Sequence, residues 1–201
     1  MIKEKEPIVT HLFTADPSAH VFGDRIYVYP SHDIPHDGED DDEGGEYRME
    51  DYHVFSAPDV TGPWTDHGVA LHEADVPWVG RQMWAPDCIE KDGKYYLIFP
   101  AKDKTDAFHL GVAVSDQPEG PFLPESEPIP GSFSIDPAVF TDDDGRVYVY
   151  NGGLWGGQME WTLGEPDVTE PALGPLCGEF NADLKSYKVL PKQVSILDAV
   201  G

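Results

Sequence analysis

Two aspartates in this chain stand directly before proline at matching points of a repeated pattern, Asp16-Pro17 and Asp136-Pro137. Each pair leads into an apolar strand, a tight turn and an aromatic strand. The first copy runs from Ala15 to Tyr29 and the third from Ile135 to Tyr150, while a middle copy from Trp84 to Phe99 carries Ala85 in place of the aspartate. In a radially repeated β fold, equivalent strands point their first residues at one central axis. Two of the three copies therefore deliver a carboxylate to one shared pocket. Paired carboxylates in a pocket are the equipment for breaking glycosidic bonds. An aspartate before proline is also a common turn residue. Its identical placement in two repeats, and its loss in the middle one, favour chemistry.

The elements that position these residues read as short strands. Gly23-Asp24, Asp92-Gly93 and Asp144-Gly145 interrupt alternating apolar stretches, which is a hairpin signal. The run from Thr141 to Gly145 lacks the alternating oxygen ligands of a calcium loop and is read as the third hairpin turn. A second theme follows the first two hairpins. Tyr52 to Ser56 passes through Gly62-Pro63-Trp64 to Val69-Ala70-Leu71, and Leu110 to Ser115 passes through Gly120-Pro121-Phe122 to Pro128-Ile129. These are expected as outer strand pairs whose turn ring packs back on the sheet. Each unit then has four strands, as propeller blades do.

A repeat takes roughly 60 residues, so the chain holds about three blades. Their expected spans are about 8–75, 76–130 and 131–201. The outer pair of the third is less legible. Gln158 to Leu163 is expected as a strand and Glu165 to Leu176 as a proline-rich loop, with Lys188-Val189-Leu190 and Val194 to Leu197 as a late strand or strap. The acidic stretch from Asp37 to Glu46 is expected as an exposed loop inside the first blade.

Composition agrees with short strands and many turns: 20 Gly, 19 Pro and 11% aromatic residues. Thirteen basic against 38 acidic side chains give a formal charge of −25, which repels nucleic acid and anionic membrane surfaces. The expected partner is a neutral or cationic substrate, with no nucleic acid and no membrane. Such acidity is read first as a solvated face, and adaptation to high salt is the second reading. Cys88 and Cys177 have no metal-ligand spacing and are expected as free thiols. The start Met1-Ile2-Lys3-Glu4-Lys5-Glu6-Pro7 has no apolar run behind it, so a cytoplasmic protein is expected.

Four segments carry a family resemblance. They are Thr14-Ala15-Asp16-Pro17-Ser18, Met49 to Ser56, Met83-Trp84-Ala85-Pro86-Asp87 and Ser134-Ile135-Asp136-Pro137-Ala138. In this order they resemble glycoside hydrolase family 43, the five-bladed β-propeller arabinosidases, xylosidases and arabinanases. The resemblance implies an all-β, five-bladed propeller of which this chain carries roughly the first three blades. It implies Asp16 as the general base that activates water for attack with inversion, and Asp136 as the carboxylate that keeps the acid protonated. The acid itself is a glutamate of the fourth blade, which the chain is expected to lack because it stops at Gly201. Glu170 and Glu179 sit in loop-like surroundings and do not match that motif.

The resemblance also tips Trp84, one residue ahead of the axis-facing position, toward a sugar platform rather than a core tryptophan. Asp51 and His53 flank Tyr52, so strand alternation sends both to one side of the sheet. These two join Trp84 as substrate-binding candidates, although a hydrogen-bonded structural histidine is the stronger reading of His53. His20, His32 and His36 show no ligand spacing. No cofactor is required; the resemblance implies that calcium or another metal can occupy the propeller axis, and no sequence cluster demonstrates one here. The expected function is an inverting hydrolase of arabinose- or xylose-containing oligo- and polysaccharides, truncated before its general acid. This chain alone is expected to be inactive on unactivated substrates, whereas an aryl glycoside with a good leaving group needs the acid less. The alternatives are a non-catalytic carbohydrate-binding propeller fragment or pseudoenzyme, and a sucrose-type transferase whose first aspartate attacks with retention. The aromatic and Asp-Pro motifs fit family 43 better than the transferase.

Overall fold

The computed structural model of the protein describes residues 7–38, 44–152 and 174–195. Among the described residues, thirteen β-strands make three antiparallel sheets, and no helix is long and apolar enough to cross a membrane. The first sheet is β1 (Thr14–Phe22), β2 (Arg25–His32), β3 (Asp51–Ala57) and β4 (Thr65–His72), paired in that order. The second holds β5 (Val79–Arg81), β6 (Asp87–Lys91), β7 (Lys94–Asp103), β8 (Phe108–Ser115) and β9 (Leu123–Pro124). The third is β10 (Ala138–Thr141), β11 (Val147–Asn151), β12 (Leu176–Phe180) and β13 (Tyr187–Gln193).

The hairpin signals become turns of two kinds. Phe22 pairs with Arg25 and Lys91 with Lys94, which leaves two-residue loops at Gly23-Asp24 and Asp92-Gly93. Asp92 and Gly93 both have positive φ, 54° and 76°, the geometry whose twist matches the flanking strands. The third hairpin is longer, with Asp142 N bonded to the Arg146 carbonyl and Gly145 N to that of Asp142. Both Gly-Pro steps, at Pro63 and Pro121, are cis.

Packing follows strand alternation. On β7, Leu97, Phe99 and Ala101 join a core with Tyr27, Tyr29, Tyr52 and Val54 of the first sheet. Ile98, between them, points the other way into a core with Val147, Val149 and Phe180 of the third. The middle sheet is thus buried on both faces, and the three sheets stack side by side. Tyr29 adds a polar link by donating its hydroxyl hydrogen to the Pro118 carbonyl at 2.7 Å.

Several local expectations change. The inner edge of the second sheet is split, since β5 and β6 pair with opposite ends of β7. Its outer strand comes at Leu123–Pro124, earlier than Pro128-Ile129, although Ile129 N still bonds the Leu110 carbonyl. Glu179 lies on β12, is buried, and pairs with Lys188 at 2.7 Å, so it is not a loop residue. Lys188 to Leu190 belong to β13, whereas Val194 follows that strand and bonds the Pro175 carbonyl. The proposed strand Gln158 to Leu163, Glu170, and residues 39–43 of the acidic stretch lie outside the described residues. At the end of that stretch Gly44 is buried rather than exposed. A Cβ there would fall 2.6 Å from the Trp84 ring, and Gln82 Nε2 donates to the Gly44 carbonyl. Both cysteines are free, Cys88 buried and Cys177 half-buried.

Candidate active site

The inner strands of the three sheets converge on a cavity of about 500 Å³. It is lined by Asp16 to His20, by Ala85 to Asp87, and by Asp136 to Ala138, one segment from each repeat. The alignment of the three Asp-Pro or Ala-Pro steps is therefore also a spatial one.

Asp16 is delivered by a bulge. Ala15 pairs with Ser31 and Ser18 with Tyr29, so β1 spends one residue more than β2 over this step. Such bulges re-aim a side chain, and the Ser31 hydroxyl holds this one by donating to the Ala15 carbonyl at 3.1 Å. Asp16 adopts φ 47° and Asp136 φ 53°, the left-handed region that aspartate and asparagine tolerate better than most residues. Asp136 is held from both sides of its loop. Gly152 N bonds the Ile135 carbonyl, and Asn151 Nδ2 donates to the Phe133 carbonyl at 2.7 Å.

The third carboxylate of the cavity, Asp87, differs in kind. It is buried, and its Oδ1 accepts from His20 Nε2 at 2.6 Å and from Cys88 N at 2.8 Å, while Oδ2 accepts from Val139 N at 2.6 Å. One side chain thereby ties β1, β6 and β10 together at the cavity wall. With both oxygens occupied, Asp87 is an anchor. Asp16 and Asp136 have no hydrogen-bond partner among the described residues, which leaves them as the free carboxylates of the site. Asp136 opens onto the cavity, yet loss of hydration among the surrounding protein groups and, second, the negative charge of Asp16 push its carboxyl up to about 6.

The remaining candidates sit elsewhere. Trp84 is 8% exposed and packs with Met49, Phe108 and Ile135, with Ala15 and Phe133 against the same cluster. Ala15 and Ile135 directly precede the two free aspartates, so the indole supports their backbone instead of lining the cavity. Asp51 and His53 do not line it either. Strand alternation does put them on one side of β3, but β2 brings His32 to that side, with its Nδ1 3.0 Å from Asp51 Oδ1. His53 Nδ1 lies 3.1 Å from Asp66 Oδ1. Sequence reasoning missed the roles of Asp87 and His20. The only available signal was Asp87 following the Ala85-Pro86 step, and nothing local identifies its partners 67 and 52 residues away.

Three sheets meeting edge-on at a cavity with two unpartnered aspartates define a β-propeller scaffold with an acidic axial pocket. The profile of glycosyl hydrolases family 43 matches residues 5–168, and the chain belongs to that family. It is 51% identical to xylosidase/arabinosidase 43A of Humicola insolens, over 95% of this chain and 63% of that protein. It is 47% identical to a beta-xylosidase of Xylanibacter ruminicola, over 94% and 62%. Among solved structures, a GH43 beta-xylosidase/alpha-arabinofuranosidase from a compost microbial metagenome, in complex with xylotriose and calcium-free, superposes with a TM-score of 0.88 at 54% identity. That match covers 94% of this chain and 61% of the other. The GH43_1 enzyme of Xanthomonas citri, complexed with xylotriose, gives 0.84 at 46% identity, over 98% and 59%. The chain thus spans about 63% of the length of the first of these relatives.

Proposed function

We propose that this chain provides the water-activating half of an inverting glycoside hydrolase that acts on xylose- or arabinose-containing oligo- and polysaccharides. The observation that carries the reading is the delivery of Asp16 and Asp136 to one cavity from equivalent steps of two repeats, with Asp136 held well above the usual carboxylate range. Asp16 is the general base. Its carboxylate takes a proton from the water that attacks the anomeric carbon on the face opposite the leaving group. Asp136 is the companion carboxylate, whose charge discourages ionisation of a proton donor placed next to it. Names of the relatives support xylose and arabinose as the sugars, and a charge of −25 suits a neutral glycan better than an anionic one.

An aryl β-xyloside with a good leaving group tests the base separately from the acid, because such a substrate needs little proton donation. The expected result is hydrolysis with inversion, read by proton NMR of the first-formed anomer. Asp16→Asn should lower the rate by roughly 10²-fold or more while xylotriose binding by calorimetry is kept. Retention of configuration, or an unchanged rate in Asp16→Asn, would refute the assignment.

A further inference from the structure

Away from the cavity, the first sheet gathers two imidazoles and a carboxylate at the ends of β2 and β3. Ser31 pairs with Tyr52, so one step further His32 stands opposite Asp51, and His53 follows two residues along on the same face. The ligand atoms of His32, Asp51 and His53 all lie within 4.8 Å of one another. Asp51 Oδ1 is 3.0 Å from His32 Nδ1 and 3.7 Å from His53 Nε2. A tetrahedral ion with bonds of about 2.0–2.2 Å spaces its ligands by roughly 3.3–3.6 Å, so the trio needs only small adjustments to close on one.

The surroundings of His53 supply the second observation. Its Nδ1 hydrogen goes to Asp66 Oδ1, which fixes the tautomer that leaves Nε2 with a lone pair turned toward Asp51. Asp66 is in turn held by His11 Nε2, 2.7 Å from its other oxygen, and by the Gly68 N–H on Oδ1. A carboxylate behind a histidine, itself anchored, is the outer arrangement that orients metal-ligating imidazoles. The side chains of Asp51 and His53 are 8% and 12% exposed and that of His32 is 21% exposed, so two ligands are shielded and the third leaves room for water in a fourth position.

We propose that His32, Asp51 and His53 form a binding site for a divalent transition-metal ion of the Zn²⁺ class, with Asp66 as the residue that orients His53. Two imidazoles and one carboxylate suit Zn²⁺ and disfavour Ca²⁺ and Mg²⁺, which take oxygen ligands. Binding exchanges the hydrogen between His32 and Asp51 for the cation and fastens β2 to β3. The site is independent of the reading given for the axial cavity.

Calorimetric titration of the chain with Zn²⁺, in excess Mg²⁺ to occupy the acidic surface, tests this together with two-bond proton–nitrogen spectra of the imidazoles. The expected result is one tight equivalent per chain, with His53 Nε2 and His32 Nδ1 as the nitrogens that shift. His53→Ala and His32→Ala should each abolish that equivalent, and Asp66→Asn should weaken it about 10–100-fold. Absence of a stoichiometric site, displacement of Zn²⁺ by Ca²⁺, or a wild-type spectrum in which other histidines shift would overturn the proposal. The last readout needs no variant, so poor folding of a substituted chain leaves the test intact.

Discussion

Replacement of Asp136 by asparagine should stabilise the protein at neutral pH. The carboxyl has an ordinary value of 3.8 and is pushed up to about 6 in the fold, first by loss of hydration and then by Asp16. Between those two values the folded chain holds this proton more tightly than the unfolded chain does. Stability therefore falls as pH rises through the window and stays at the lower level above it. At full value the difference amounts to roughly 3 kcal/mol. The side chain opens onto the cavity, so solvent screening reduces it to about 1 kcal/mol. Asparagine keeps the shape, tolerates φ 53° as well as aspartate does, and carries no charge at any of these pH values. Thermal melts of wild type and Asp136→Asn should coincide near pH 4 and separate by about 2–4 °C in favour of the variant at pH 7.5. A variant that melts lower at pH 7.5, or a gap that does not depend on pH, would show that Asp136 is an ordinary turn residue and that the cavity does not destabilise its charge. A gain in stability on removal of a charged group is the mark of a site shaped for chemistry.

Asp87→Asn places an amide donor against one of three N–H groups that now meet a carboxylate, and should cost about 1.5–3 kcal/mol by urea unfolding; a loss under about 0.5 kcal/mol would remove Asp87 as the clamp between sheets. Gly111 faces the Phe99 ring, and a Cβ there would stand 2.5 Å from Phe99 Cζ and 2.7 Å from Trp78 Cζ2. Gly111→Ala should therefore destabilise by about 1–3 kcal/mol, with near-ultraviolet circular dichroism reporting displaced aromatic rings; an unchanged melt and spectrum would mean that the stack is loose.

The sequence by itself determined the parts of this protein that depend on residues near one another. Asp-Gly turns, alternating apolar residues and the recurrence of Asp-Pro at one phase suffice to place Asp16 and Asp136 at equivalent points of repeated sheets. Their meeting in a single cavity then follows from radial repetition. The tertiary structure decided what depends on how sheets stack. Asp87 finds His20 and Val139 only because the inner strands of three sheets come together, and no local pattern encodes a contact 52 or 67 residues distant. From its residue type alone Trp84 reads equally as platform or core, the family resemblance tips it to the platform, and its packing against Phe108 and Ile135 is visible only in the fold. Glu179 looked like a loop residue because glycine and proline surround it, yet pairing with β11 and β13 makes it strand. Asp51 and His53 were legible as sharing a face, but their partner was not, since strand register alone brings His32 across to them. Periodicity fixes the face to which a side chain points, and packing between sheets fixes what it meets there.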